Sequence, residues 1–395
     1  MINKLSTGRI LSIDAFRGIT ILVMIFVNSV AGVQDIPAWM QHAHAEEDRM
    51  TFVDVVFPAF LFIVGMSIPF AINSRLAKGD SFWQLQRHIL WRTLGLLVLG
   101  VFMVNTGGLN AAATGISMAV WALLFYVSVV LVWNVYTFKK SWITWCFKGA
   151  GIISLIVLGC IYRGGDDGSH YLTPQWWGIL GLIGWAYFYA CVVYQLFQGN
   201  SSAIFLMIAA CTGFYILCQQ PFMKEGALNW LTSQEGNAAH LSIVLCGMLL
   251  TLFYFDEDLD LKGSRLVSRV TGFALLLALA ALWLRPSFKI SKIHATPSWC
   301  LFSAAICVVV FSLLYFLIDV KRVSRWTSFF RPAGSNPLLT YILPDIVYFG
   351  MIALGLSLPA VLQQGLPGII WCMCFAVAML FVVKGLNKLH IRLQL

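Results

Sequence analysis

Apolar residues in this chain recur in blocks of about 17–25, and that block length constrains the fold more than any other feature. At 1.5 Å per residue such a block crosses a hydrocarbon core of about 30 Å as a helix. A segment in lipid has to satisfy its own backbone hydrogen bonds, which requires helices and excludes isolated strands. Twelve spans are predicted, at about 14–32, 53–73, 88–105, 114–136, 148–162, 176–197, 202–219, 237–255, 269–285, 298–318, 337–356 and 367–386. The segments at 148–162 and 269–285 are the shortest, so the expected count runs from ten to twelve. Charged residues make up 11% of the 395 and mean hydropathy is +0.82. A soluble domain carries about 25% charged residues, so this chain lacks the polar surface to clothe a water-facing globule. The expected fold is all-α, a polytopic transmembrane helical bundle over a single domain, 1–395.

The net charge of +9 raises nucleic acid as a partner, but its distribution answers otherwise. With both termini cytoplasmic, all but six of the 26 Lys and Arg residues (Arg49, Arg163, Lys224, Arg285, Lys289 and Lys292) fall on the cytoplasmic side. That bias orients a membrane protein, and no nucleic acid is expected. The first apolar block follows Lys4 and Arg9 but contains Asp14 and Arg17 and reaches no small-residue cleavage site, so it reads as a retained span. The ten cysteines lie mostly inside apolar blocks with no CxxC or Cys/His metal spacing. Packing accounts for them.

Charge at membrane depth costs about 2.5–3.5 kcal/mol per residue on insertion scales and faces a partner or a cavity. Asp14 and Arg17 sit three apart at the head of the first span, Asn28 near its far end, Asp54 at the start of the second, and Asp345 within the eleventh. Each has a plain structural alternative. Asp14 and Arg17 also suit an interfacial ion pair, and Asn28 and Asp54 suit helix caps. Asp345, in the run Leu339-Thr-Tyr-Ile-Leu-Pro-Asp-Ile-Val-Tyr-Phe349, needs a partner or a watery pocket. The loop from Pro37 to Asp48 holds His42 and His44. A side chain with an ordinary pKa of about 6.5 can take the proton an amine loses as it attacks a thioester. Surface histidines and an H-x-H metal pair completed by Glu46, Glu47 or Asp48 are the alternatives. No second histidine cluster supports metal, and none is expected. No P-loop, GxGxxG, GxSxG or HExxH pattern stands in a suitable context.

Several segments together resemble the heparan-α-glucosaminide N-acetyltransferase family. They are Ser12-Ile-Asp-Ala-Phe-Arg-Gly18, Met24-Ile-Phe-Val-Asn28, His44-Ala, Thr51-Phe-Val-Asp-Val-Val-Phe-Pro58 and Phe60-Leu-Phe-Ile-Val-Gly65. The likeness resumes at Thr296-Pro-Ser-Trp299, Asp319-Val, Gly334-Ser-Asn-Pro337 and Tyr341. The motif-bearing stretches cover 9–105 and 296–356, and the middle, 110–295, is weakly matched. The chain departs from the family in lacking a Gln-Arg pair where it reads Gly115-Ile-Ser-Met, and in two additional helices.

What the resemblance implies is acetyl transfer from cytoplasmic acetyl-CoA, a co-substrate, to a glucosamine-type amino sugar across the bilayer. The family's catalytic histidine stands ten residues before the second-span aspartate, which is His44 before Asp54; His42 is the competitor. Asn28 takes the role of donor to the developing oxyanion, Asp54 that of an acid orienting the imidazole. Asp14, Arg17, Asp345 and Asn336 take binding roles. A homodimer and a bacterial inner membrane are the implied setting. The rival reading is a secondary transporter of amino sugars or peptidoglycan fragments, with Asp14, Arg17 and Asp345 as a relay.

Overall fold

A computed structural model describes Leu5, residues 10–259 and residues 261–395; Lys4 and Arg9 lie outside the described residues. Among the described residues twelve apolar helices follow one another in the order expected: α1 Leu11–Val30, α2 Val53–Ala77, α3 Phe82–Thr106, α4 Met118–Trp133, α5 Ser141–Ile161, α6 Gly178–Leu196, α7 Ser201–Cys218, α8 Glu235–Phe255, α9 Gly263–Phe288, α10 Pro297–Val320, α11 Pro337–Ala353 and α12 Gly365–Lys388. Ten of these are long and apolar enough to cross a membrane; α4 and α11 are shorter. Among the described residues there are isolated bridges but no strand.

The short helices are not the ones the sequence singled out. Segments 148–162 and 269–285 are the cores of α5 and α9, which run 21 and 26 residues. Each helix begins before its apolar block, through Lys148 in α5 and through Arg265 and Arg269 in α9. Long basic side chains can send their charge to the interface while their stems stay in apolar surroundings. Conversely α4 stops at Trp133, where Asn134 turns extended, and α11 carries Pro344 inside it.

The backbone divides into two compact units. Among the described residues the first comprises Leu5, residues 10–16, Pro37–Thr93 and Ile183–Ser328. Its central helix is α8, buried at every residue from Ala239 to Phe253. Helix α2 lies directly on it through two glycines. A Cβ on Gly65 would stand 1.8 Å from the carbonyl oxygen of Val244, and one on Gly247 2.0 Å from that of Phe62. Small residues permit this backbone approach, which drives helix association where lipid removes the hydrophobic incentive. Thr251 adds a hydroxyl bond to the Met66 carbonyl at 3.1 Å. Helix α9 instead buries one stripe, Val270, Phe273, Leu277, Ala281 and Leu284, at helical spacing. Its remaining faces show Leu275, Leu279 and Trp283 outward.

The second unit comprises Arg17–Ile36, Leu94–Leu182 and Phe329–Leu395. Within it α4 and α5 are joined by the Trp121 indole donating to the Leu158 carbonyl (3.1 Å) and by the Ser128 and Ser154 hydroxyls, 2.7 Å apart.

Candidate active site

The sequence motifs that lie far apart along the chain meet within each unit. In the first, the backbone N–H of Ser12 donates to Asp319 Oδ2 (3.2 Å), which places a carboxylate at the N-terminus of α1 where the helix dipole favours it. Trp299, in the first turn of α10, donates its indole N–H to the Asp54 carbonyl (3.2 Å). In the second, Arg17 Nη1 donates to the carbonyl of Gly334 (3.5 Å), and Gly18 lies so close to Phe330 that a Cβ would come within 2.6 Å of its carbonyl oxygen.

The chemistry gathers where the loop 36–52 meets the start of α2. Asp54, in the helix's first turn, is 1% exposed. Its Oδ2 accepts from the backbone N–H of Thr51 (3.1 Å), the Thr51 hydroxyl (3.3 Å) and the backbone N–H of Ala43 (3.2 Å). Asp54 is not the cap itself, since the N-cap position is Phe52; its bonds from Thr51 tie the residues just before the helix to its first turn. The other oxygen, Oδ1, has a second use: it lies 2.7 Å from Nδ1 of His42, whose ring is 41% exposed. Asp54 therefore both starts the helix and fastens the loop.

A second loop, 289–296, backs the first. Lys292 Nζ stands 3.2 Å from Nδ1 and 3.5 Å from Nε2 of His42. An ammonium nearly equidistant from both nitrogens acts through its charge rather than through one lone pair. Burial pushes the Lys292 pKa below the ordinary 10.5, while Asp54 pulls it back up. Asp48 binds Arg285 through Oδ2 (2.9 Å) and the Ile290 N–H through Oδ1 (2.8 Å). Lys289 donates to the Glu46 carbonyl (3.2 Å) and Ser291 to that of Ala45 (3.0 Å). Lys289 and Ala295 adopt left-handed φ of 53° and 47°, a strain of about 1–2 kcal/mol per non-glycine residue that these bonds hold in place. Arg285, Lys289 and Lys292 are residues the sequence set on the same side as His42 and His44.

His44 stands two residues beyond His42 on the same loop, exposed, its backbone N–H donating to Glu47 Oε2 (3.0 Å). Glu47 has its pKa lowered by the Arg49 guanidinium, 2.8 Å away, and by that backbone bond. The loop thus offers two accessible imidazoles, one on a buried carboxylate and one beyond it.

The remaining expected residues are distributed. Asp14 is half-buried in the first turn of α1, and Asn28 is exposed in the body of the same helix rather than at a cap position. Asp345 accepts from the Tyr126 phenol at 2.7 Å, which supplies the partner its apolar setting demanded. Asn336, fully buried, spends its amide inside the protein. Its nitrogen donates to Asn387 Oδ1 (2.9 Å) and the Ile391 carbonyl (3.0 Å), and its oxygen accepts from the Leu393 N–H (3.1 Å). That arrangement fastens the C-terminal tail. Among the described residues no group of three or more His, Cys, Asp or Glu is set to hold a metal.

Two residues escaped the sequence reading. Lys292 was counted only as topological charge, and nothing in Ser-Lys-Ile-His marks it further. His240 is buried in α8 with its ring 5.3 Å from Phe57 and 6.3 Å from Trp299, edge-on to both. A lone ionisable residue in an apolar span was the available signal for it.

Comparison with known proteins adds the following. The family described as "Domain of unknown function (DUF5009)" matches residues 9–208. The chain is similar to the heparan-alpha-glucosaminide N-acetyltransferase of Homo sapiens, 38% identical over 97 residues, covering 25% of this chain and 14% of the relative. It is also similar to the enzyme of that name from Mus musculus, 36% identical over 100 residues with the same coverage. The match thus spans about a seventh of the length of these relatives.

Proposed function

This chain belongs to the DUF5009 family, and from that premise we propose that it is a transmembrane N-acetyltransferase, moving acetyl from cytoplasmic acetyl-CoA to the amino group of a glucosamine-type sugar. The observation that carries the reading is the fastened loop: two accessible imidazoles, one of them on a buried carboxylate, at the head of an apolar helix. The similarity to the two named acetyltransferases supports the substrate class. The proposal includes twelve crossings with both termini cytoplasmic, a bacterial inner membrane and a homodimer, as the sequence reading expects.

In this reading His44 is the general base. Its imidazole takes the proton that the sugar amine loses as the C–N bond forms, and returns it to the sulfur as the C–S bond breaks, leaving N-acetyl sugar and free CoA thiol. Asp54 does not meet the sugar. It holds the loop by four bonds from His42, Ala43 and Thr51, so that the imidazole is presented in a fixed position. Asn28 keeps the role of oxyanion donor that the resemblance gives it; one such donor is worth about 3–4 kcal/mol in other enzymes. Asp14 and Arg17 keep the binding roles that the resemblance gives them, whereas Asp345 and Asn336 serve the structure in this reading, on Tyr126 and on the C-terminal tail.

A second reading is favoured by the 2.7 Å contact between His42 and Asp54. A carboxylate that fixes an imidazole by one nitrogen leaves the other to act as base, the logic of a catalytic triad, and on that view His42 is the base. Transfer of radiolabelled acetyl from acetyl-CoA to glucosamine by the purified protein tests both. His44→Ala is expected to lower turnover by about 10²–10⁴-fold and His42→Ala by much less; the reverse ranking assigns the base to His42. Retained turnover in the double variant removes the mechanism. Sugar uptake into proteoliposomes without acetyl-CoA would instead establish the transporter.

A further inference from the structure

At the opposite end of α2 from Asp54, about 32 Å along the helix axis at 1.5 Å per residue, the turn into α3 encloses a half-open cavity of about 270 Å³. Arg75, Asp80, Gln84, Arg87, His88 and Trp91 line it. Four of these, Gln84, Arg87, His88 and Trp91, fall at i, i+3, i+4 and i+7 and form one stripe on α3. The positions beside the stripe are of another kind: Phe82, Trp83, Leu90 and Leu94 are all exposed and apolar, with Trp83 78% and Trp91 64% exposed. Apolar residues and tryptophans at the end of a spanning helix mark the membrane–water boundary. The polar stripe lies at that boundary, not in bulk water.

The sign of the lining points to an anion. Two guanidiniums face a single carboxylate, Asp80, which Arg75 already holds at 2.8 Å. Among the described residues no carboxylate pairs with Arg87. The N-terminus of α3 is closed by its own capping box, since Ser81 N–H donates to Gln84 Oε1 (2.7 Å) and Gln84 N–H to the Ser81 hydroxyl (3.3 Å). The ligand therefore meets side chains. Guanidinium forks match the paired oxygens of a phosphate, and basic pockets at a membrane face take phosphate headgroups. We propose that this cavity is a phosphate-binding site, with Arg87 as the principal ligand, Arg75 as the second and Trp91 packing over the group that carries the phosphate. The site stands apart from the acyl-transfer reading and does not depend on it.

A phosphate at this boundary comes either from an anionic lipid headgroup or from a soluble phosphate ester, and two probes separate them. The full-length protein is placed in nanodiscs of phosphatidylcholine with or without phosphatidylglycerol, and separately titrated with adenosine 3′,5′-bisphosphate, with thermal unfolding as the readout. Wild type is expected to gain stability from at least one probe, and Arg87→Gln to weaken that response about tenfold, the effect of losing one charge-assisted hydrogen bond. Asp80→Asn, which releases Arg75, is expected to hold or strengthen it, and Lys139→Gln, a basic residue elsewhere, to leave it unchanged. A response to phosphatidylglycerol alone identifies a lipid, one to the bisphosphate alone a soluble ester, and one to both the shared phosphate chemistry. No response to either, equal responses of wild type and Arg87→Gln, or a loss in Asp80→Asn matching that in Arg87→Gln overturns the site.

Discussion

Asp54 and Asp345 are both carboxylates borne by apolar helices, one in each unit, and the chain satisfies them with different partners. Asp54 sits where α2 meets a loop and collects two backbone N–H groups, a hydroxyl and an imidazole, with an ammonium close behind. Asp345 follows a proline inside α11 and meets a phenol. An imidazole exchanges its proton near neutrality, whereas a phenol with an ordinary pKa of about 10 keeps its own. The first arrangement suits proton transfer at an accessible edge; the second suits fixing α4 to α11. Burying a carboxylate is thus no sign of function by itself. What separates the two is the partner's ability to trade a proton and the access of solvent to that partner.

The largest test of this contrast is activity. Asp54→Asn is expected to lower acetyl transfer to glucosamine by about a hundredfold, because the amide cannot hold the loop and imidazole as the carboxylate does. Asp345→Asn is expected to lower it less than about tenfold. Equal losses would erase the distinction. Stability should rank the other site next. Tyr126→Phe is expected to cost about 1–2 kcal/mol of unfolding free energy in micelles, and a change within a few tenths would mean that the phenol does not fasten α11.

A smaller effect concerns pH. Burial holds the Lys292 pKa below the free-lysine value of 10.5. Between that lowered value and 10.5 the unfolded chain binds more protons than the folded one, so stability rises with pH through this window. Lys292→Met removes the contribution, and the stability of wild type relative to the variant should climb as pH approaches 10.5. A flat difference would place the ammonium in open water. The least effect is expected at the exposed pair of Arg49 and Glu47, 46% and 38% exposed. Arg49→Gln should change stability by less than about 0.5 kcal/mol, and a larger cost would show that the outer part of the loop is held as firmly as Asp54.

Much of the helical order was legible beforehand, since spanning length and backbone self-satisfaction follow from local composition. The boundaries of α5 and α9 were not, because Lys148, Arg265 and Arg269 read as breaks when only their charge is weighed and as continuations when their long stems are. Among the site residues, His42, His44 and Asp54 stood out as an acid and two bases within thirteen positions. Lys292 did not, because its meaning comes from a loop 250 residues away in the chain. Asn336 belonged to a quoted motif, yet its amide meets the C-terminal tail, which only long-range packing brings to it.

Composition and block length alone determined that this protein is a helical bundle for a lipid environment, because every residue of a span carries that constraint locally. Which charged groups would share a site was decided by the tertiary structure. Ionic and hydrogen-bonding partners act over a few ångströms, and separations of that size between Asp54, His42 and Lys292 exist only once the loops 36–52 and 289–296 have been folded against each other.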